Sequence, residues 1–193
     1  DAIAFLASDD IWPSDHVARA IAALDEGFDF YFTDNRRAGS HEAHVRSLHV
    51  PRRAELISEE NKNSGIVELS IDKIFGFCLR EFPYQSSTVV YRKKVSPLLR
   101  FSTHLKSSGE DVLFFTELLA RSSRVGFDLD SVVECGESVN IFFSNLGWDA
   151  SRLLNIKVDR LLTHGVLAKA DFLGENNKAL NEGRINTFTG ELS

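Results

Sequence analysis

Residues 1–34, DAIAFLASDDIWPSDHVARAIAALDEGFDFYFTD, carry the pattern that decides the fold. Asp1 passes straight into Ala2-Ile3-Ala4-Phe5-Leu6, apolar at every position. That is the pattern of a strand buried on both faces of a parallel sheet, with neighbours on either side. A polar turn follows, Ser8-Asp9-Asp10-Ile11-Trp12-Pro13, with Ser14 in an N-cap position. Val17, Ala20, Ile21 and Leu24 then recur at helical spacing, and Gly27 is a natural stop. Residues 28–33 read as the next strand, ending at Asp34-Asn35. Strand, acidic turn, helix, strand is the order of an α/β sheet. The abrupt apolar start also reads as a cut through a domain, with part of the sheet expected to precede Asp1.

Working outward, residues 35–66 are polar and rich in histidine and charge, and predict a long loop with one short helix near residues 54–59. Residues 71–79 are expected to be helical. The segment 86–92, SSTVVYR, has the β-branched and aromatic content of a strand. Ser107-Ser108-Gly109-Glu110-Asp111 opens a helix carrying Val112, Phe115, Leu118 and Leu119, with its acidic residues in the first turn. Residues 125–129 and 131–135 look like two short strands. From Asp149 to about Ala170 the sequence turns helical, with Leu153, Leu154, Val158, Leu161 and Leu162 on one face. A weaker helix covers residues 176–181.

The 193 residues, 43% of them hydrophobic, suffice for one domain with a sizeable core. The 28 acidic against 22 basic residues give a net charge of −6, mixed along the chain, which argues against a nucleic-acid or anionic-membrane surface. Cys78 and Cys135 are far apart and in no metal-like spacing, so neither a disulfide framework nor a zinc site is indicated, and a reducing, cytoplasmic setting fits. No apolar run approaches the length of a membrane span. Peripheral membrane contact stays compatible with the sequence.

Asp9 and Asp10 stand at the carboxyl end of a strand, the edge of an open α/β sheet where ligands bind. Hard divalent cations take oxygen ligands and often share one or two carboxylates with substrate phosphates, so the pair suits magnesium or manganese held against a diphosphate. An Asp-Asp turn also serves simply to cap the following helix. Glu110 and Asp111 lie about a hundred residues later, where a carboxylate facing the same cleft could deprotonate an acceptor hydroxyl. Acidic residues also favour a first helical turn for electrostatic reasons alone.

Together the two motifs resemble the family-two glycosyltransferases of the GT-A fold. The resemblance rests on FLASDDIWPSDHV through FDFYFTDN and, downstream, on SSTVVYRK followed by SSGEDVLFFTELLARSSRVGF, and covers roughly residues 1–135. It implies a mixed α/β sheet flanked by helices. Residues 1–147 would form part of the catalytic domain from the metal-binding turn onward, with the N-terminal nucleotide-binding half preceding Asp1, and residues 148–193 a helical C-terminal tail. It further implies inverting, metal-dependent sugar transfer from a nucleotide-sugar, a UDP-linked one by the family's habit, to a sugar or lipid-linked acceptor. Asp10 would be the metal ligand, with Asp9 its partner near the donor. Trp12, beside Pro13, could stack on the donor's sugar or base or equally pack in a core. Asp111 would be the catalytic base, with Glu110 beside it contacting the acceptor. Many members carry an aspartate two positions before Asp9, where this chain has Ala7. The Gln-x-x-Arg-Trp motif of processive synthases is absent, which favours single addition.

Other features weigh less. His41-Glu42-Ala43-His44 lacks the four-residue histidine spacing of a zinc-protease helix. Arg36, Arg37, Arg52 and Arg53 could reach a diphosphate or be ordinary surface charge. A receiver-type phosphoryl transfer using Asp9, Asp10 and Asp34 leaves Glu110 and Asp111 unexplained. A non-catalytic α/β module that binds a partner through its C-terminal helices is the alternative reading.

Overall fold

Residues 1–48, 65–136 and 150–192 are described by a computed structural model. Five strands form one mixed sheet in the order β1-β4-β2-β5-β3: β1 (Ala2–Ala4), β2 (Phe30–Arg37), β3 (Ile66–Leu69), β4 (Val89–Arg92) and β5 (Val125–Cys135). Among the described residues, β2 and β5 pair in parallel, and the β1/β4, β4/β2 and β5/β3 ladders are antiparallel. It follows that β1, β2 and β5 all point the same way and deliver their carboxyl ends to one edge.

Side chains alternate across the sheet as the two-residue strand period requires. Phe30 and Phe32 of β2, with Val89 and Tyr91 of β4, face a large core with α3 (Ile71–Arg80) and α4 (Glu110–Ala120). Tyr31 and Val90 face a smaller core with α1 (His16–Asp25). The main core is rich in rings: Tyr84 lies 5.1 Å from Phe32 and 5.4 Å from Phe115, and Phe101 stacks on Phe114 at 4.1 Å. Two further helices, α5 (Ala150–Leu167) and α6 (Glu175–Gly190), pack on each other, α6 also on α3 and α5 on α4. The seam between α5 and α6 is a buried pair in which His164 Nδ1 meets Asn181 Oδ1 at 2.7 Å while Asn181 Nδ2 donates to the His164 carbonyl at 2.8 Å.

Several local expectations are corrected. The first strand is not a buried parallel strand. It pairs antiparallel with β4 at the sheet edge, with Ala2 and Ala4 exposed and Ile3 and Phe5 turned to the main core. The first helix starts at His16 behind Asp15 rather than Ser14, and its buried face is His16, Ala20, Ala23 and Leu24. Val17 and Ile21 are exposed. Ala20 and Ala23 let the helix approach the sheet, and Arg19 reaches across to Asp128 with two 2.7 Å hydrogen bonds.

The second strand runs on past Asp34 to Arg37 because β5 continues beside it. The expected pair of short strands is one strand, with a bulge: Thr33 pairs with Asp128 and Asp34 with Val132. The intervening bulge is organised by Asp128, whose carboxylate takes Arg19, Tyr31 Oη at 2.7 Å and Asp130 N at 2.9 Å. The long loop is interrupted by α2 (His44–Ser47) and bounded by β3, which the sequence reading missed. The short helix expected at residues 54–59 lies outside the described residues. The 86–92 strand is a 3-10 turn, Ser86–Thr88, followed by β4. The weak last helix is much longer than residues 176–181, since burial of Asn177, Asn181 and Phe188 overrides the poor helix propensity of Gly183, Thr187 and Thr189. Among the described residues no helix is long and apolar enough to cross a membrane.

Candidate active site

The Asp9-Asp10 turn leaves β1 and crosses the sheet's carboxyl edge, tied down at both ends. On the β4 side, Ala7 N donates to Ser87 Oγ at 2.9 Å and Trp12 Nε1 to the Ser87 carbonyl at 2.7 Å. On the β5 side, Ile11 makes a two-bond bridge with Glu134, and Gly136 N donates to Asp10 Oδ1 at 3.0 Å. Gly136 is a close approach: a Cβ there would overlap the Asp9 carbonyl and come within 2.7 Å of its Cβ and Oδ2. Both aspartates are half-buried. Their charge is felt next door, where burial, with Asp10 and Asp9 adding, pushes the Cys135 thiol up to about 12. Trp12, also half-buried, stacks on the ring of His16 at 4.8 Å.

The helix α4 precedes β5, a parallel neighbour of β2, so its amino terminus also lies at the carboxyl edge. Gly109, at φ +86°, caps it and puts Glu110 and Asp111 in its first turn. Asp111 Oδ1 accepts its neighbour's N–H, Val112, at 2.7 Å. Burial raises the Asp111 carboxyl above its ordinary range, against the lowering effect of backbone N–H groups and of the Arg160 charge. Glu110 is raised as well, first by burial and then by Asp111 and Asp159, and its Oε2 is buried without a hydrogen bond among the described residues. Tyr84 senses the same acid: burial, then Cys78 and Asp111, lift its phenol well above the usual value.

The two acidic pairs thus lie at the same edge of the sheet, near the segment 84–87 that leads into β4. Ser87 anchors the Asp9-Asp10 turn and Tyr84 lies within the field of Asp111. The Phe5 ring, four residues before Asp9, sits 6.0 Å from Phe114 and 5.8 Å from Phe115 in the first turns of α4. Sequence reasoning missed Ser87 and Gly136, and it gave no role to Asp159, Arg160 and Thr163 of α5, which touch the loop before Gly109. For Gly136 the signal was present, a glycine directly after a strand. For Ser87 and the α5 residues only the tertiary structure brings the partners together.

Asp34 is fully buried and holds backbone: its Oδ1 accepts Asn35 N and Val45 N, both at 2.8 Å, and its Oδ2 accepts Arg46 N at 3.1 Å. A cleft of about 400 Å³ opens beside α2, with Arg36, His41, Glu42, Arg46 and Val132 among its walls. Arg36 is paired there with Glu134 at 3.0 Å. Among the described residues no group of three or more histidine, cysteine or acidic side chains is arranged to hold a metal. Arg52 and Arg53 lie outside the described residues.

With this geometry in place, comparisons with known proteins bear on the fold. The chain superposes over its whole length on crystalline S. aureus TarS 1-349, with a TM-score of 0.59 at 16% identity, covering 48% of that chain. This is a GT-A-like glycosyltransferase fold. A second TarS structure, in complex with UDP-GlcNAc, matches 97% of the chain at the same TM-score of 0.59. In sequence the chain is 28% identical over 146 residues to the succinoglycan biosynthesis protein ExoW of Rhizobium meliloti (strain 1021), which is 75% of this chain and 45% of ExoW. The chain therefore spans about half the length of the relatives it matches. No family profile matches it.

Proposed function

We propose that the chain is the acceptor-side part of a glycosyltransferase that moves one sugar from a UDP-linked donor to a hydroxyl, with inversion. The observation that carries this reading is the placement of two acidic pairs at one edge of the sheet, the Asp9-Asp10 turn tied to Ser87 and Gly136 and the Glu110-Asp111 pair in the first turn of α4. The complexes of TarS with UDP-GlcNAc and with UDP support a nucleotide-sugar donor for the shared fold.

A divalent cation fits the first pair. Asp10 spends Oδ1 on Gly136 N, and its Oδ2 takes no hydrogen bond among the described residues. Both carboxylates stand close to Cys135, whose thiol is raised first by burial and then by their charge. One or two carboxylates completed by substrate phosphates is the ordinary setting for magnesium or manganese. Asp10, with Asp9, would hold the ion, which supplies charge neutralisation for the departing diphosphate. Trp12, fixed by Ser87 and His16, offers its indole to the donor.

Asp111 is the base. The acceptor oxygen attacks the anomeric carbon on the face opposite the diphosphate, its proton passes to the Asp111 carboxylate, and the bond from that carbon to the diphosphate oxygen breaks, releasing UDP. A carboxyl raised by burial is a better proton acceptor than one in water. Glu110 contacts the acceptor beside it. In the full-length protein Asp111→Asn should lower turnover by roughly 10² to 10⁴ while UDP affinity stays within about twofold. Turnover near that of the parent would end the assignment.

A further inference from the structure

The segment 97–109, which delivers Glu110 and Asp111 to the site, contains no helix or strand. Its register is held from outside, by one face of α5. Asp159 Oδ2 accepts two successive backbone N–H groups, Lys106 at 3.0 Å and Ser107 at 2.7 Å. The next residue, Arg160, directs Nε to Ser108 Oγ at 3.4 Å. One turn on, Thr163 lies against Gly109 so closely that a Cβ on that glycine would overlap its hydroxyl. Thr163 Oγ1 in turn donates to the Asp159 carbonyl at 2.9 Å, which fixes the helix-side surface. Residues 159, 160 and 163 are neighbours on the helix by their three- and four-residue spacing, and each meets a different residue of the loop.

We propose that Asp159 and Arg160 are positioning residues for the transfer reaction, holding residues 106–109 so that Asp111 meets the acceptor hydroxyl. The proposal rests on the reading of Asp111 as the base. A carboxylate that accepts two backbone N–H groups fixes a loop more tightly than a neutral acceptor, because such bonds are roughly twice as strong. Reaction rate is sensitive to that placement, since a displacement of about 1 Å can cost about a hundredfold.

The same residues set the charge around the pair. Among the described residues, the groups close enough to act on its charge or feel it are Arg160 and Asp159 from α5 and Tyr84 from the segment before β4. Arg160 favours the ionised form of Asp111, whereas Asp159 disfavours that of Glu110. Removing Arg160 therefore leaves burial less opposed, and Asp111 takes up its proton at higher pH.

Two readouts on the full-length protein test this. Amide hydrogen exchange reads the clamp without any substrate: Asp159→Ala should speed exchange at Lys106 and Ser107 by about tenfold or more, and parent-like protection there would overturn the proposal. Turnover is followed as UDP release from whichever of a panel of UDP-sugars the parent uses. Asp159→Ala should lower kcat by about tenfold to a hundredfold with donor KM within about twofold, and Asp159→Asn, which keeps an accepting oxygen, should recover most of that loss. Arg160→Gln should move the acid limb of the kcat profile to higher pH, a change that a purely structural role does not produce. An unmoved limb, or an equal loss in Asp159→Asn and Asp159→Ala, counts against the proposal. Asp111→Asn in the same series separates the two levels. Loss of turnover there with parent-like Asp159→Ala overturns the clamp alone, whereas parent-like turnover in Asp111→Asn, or no UDP-sugar turned over by the parent, overturns the reading beneath it.

Discussion

Replacing Gly109 with alanine probes the junction between α5 and α4, and its cost divides into two parts of separate origin. Gly109 sits at φ +86°, a left-handed conformation that costs an alanine about 1–2 kcal/mol. Its new Cβ would also overlap Thr163 Oγ1 and lie 3.1 Å from Thr163 Cβ. Thr163 cannot turn away freely, because its hydroxyl is bonded to the Asp159 carbonyl at 2.9 Å. Overpacking of this kind adds about 1–3 kcal/mol, so Gly109→Ala should destabilise by about 2–5 kcal/mol in all. In a Thr163→Ala background the overlap with the hydroxyl disappears, the 3.1 Å approach of the two Cβ atoms stays, and about 1–2 kcal/mol of backbone strain remains. Urea denaturation of the parent, both single variants and the double variant gives the coupling energy, expected at about 1–3 kcal/mol. A coupling below about 0.5 kcal/mol would mean that α5 is not seated on Gly109 and that the packing argument is wrong.

Two further changes test the framework of the site. Asp34→Ala removes the acceptor of three backbone N–H groups in a fully buried position and should cost about 3–4 kcal/mol of stability; a melting temperature within a degree or so of the parent's would contradict that role. His16 is fully buried, neither ring nitrogen has a hydrogen bond among the described residues, and burial lowers its pKa against the pull of Asp128 and Asp15. The unfolded chain therefore binds this proton first, so stability falls as the pH drops below the ordinary histidine value of about 6.5. His16→Phe should keep the stack on Trp12, leave stability at pH 7 equal or higher, and flatten the loss between pH 7 and 5.5; an unchanged pH dependence would clear His16 of that effect.

The sheet's helical cover and the position of both acidic pairs were legible in the sequence because each depends on local pattern. The helix α4 is announced by Gly109, two acids and a run of apolar residues, and it starts where that pattern puts it. The neighbours of a strand are a different matter. Ala2 to Leu6 are apolar throughout, yet the segment forms an antiparallel edge, since pairing is decided by β4, ninety residues away in sequence. The break read between residues 129 and 131 is a bulge inside β5, and only the buried carboxylate of Asp128, reached by Arg19 and Tyr31, explains why the strand survives it. Val17 and Ile21 fit the apolar period of α1 as well as Ala20 and Leu24 do, but small residues face a close-packed sheet more easily than branched ones. Of the supports of the site, Ser87, Asp159 and Thr163 carry no motif because their role is contact with residues distant in the chain.

The proposed role of Asp10, joining a divalent cation to the diphosphate of a nucleotide-sugar, is tested most directly by calorimetric titration of UDP into the full-length protein, with manganese and with chelator. The parent should bind UDP at least about tenfold more tightly with manganese, equivalent to about 1.4 kcal/mol, and Asp10→Ala should bind it equally weakly in both conditions. Equal manganese-dependent affinity in the parent and in Asp10→Ala would contradict the account.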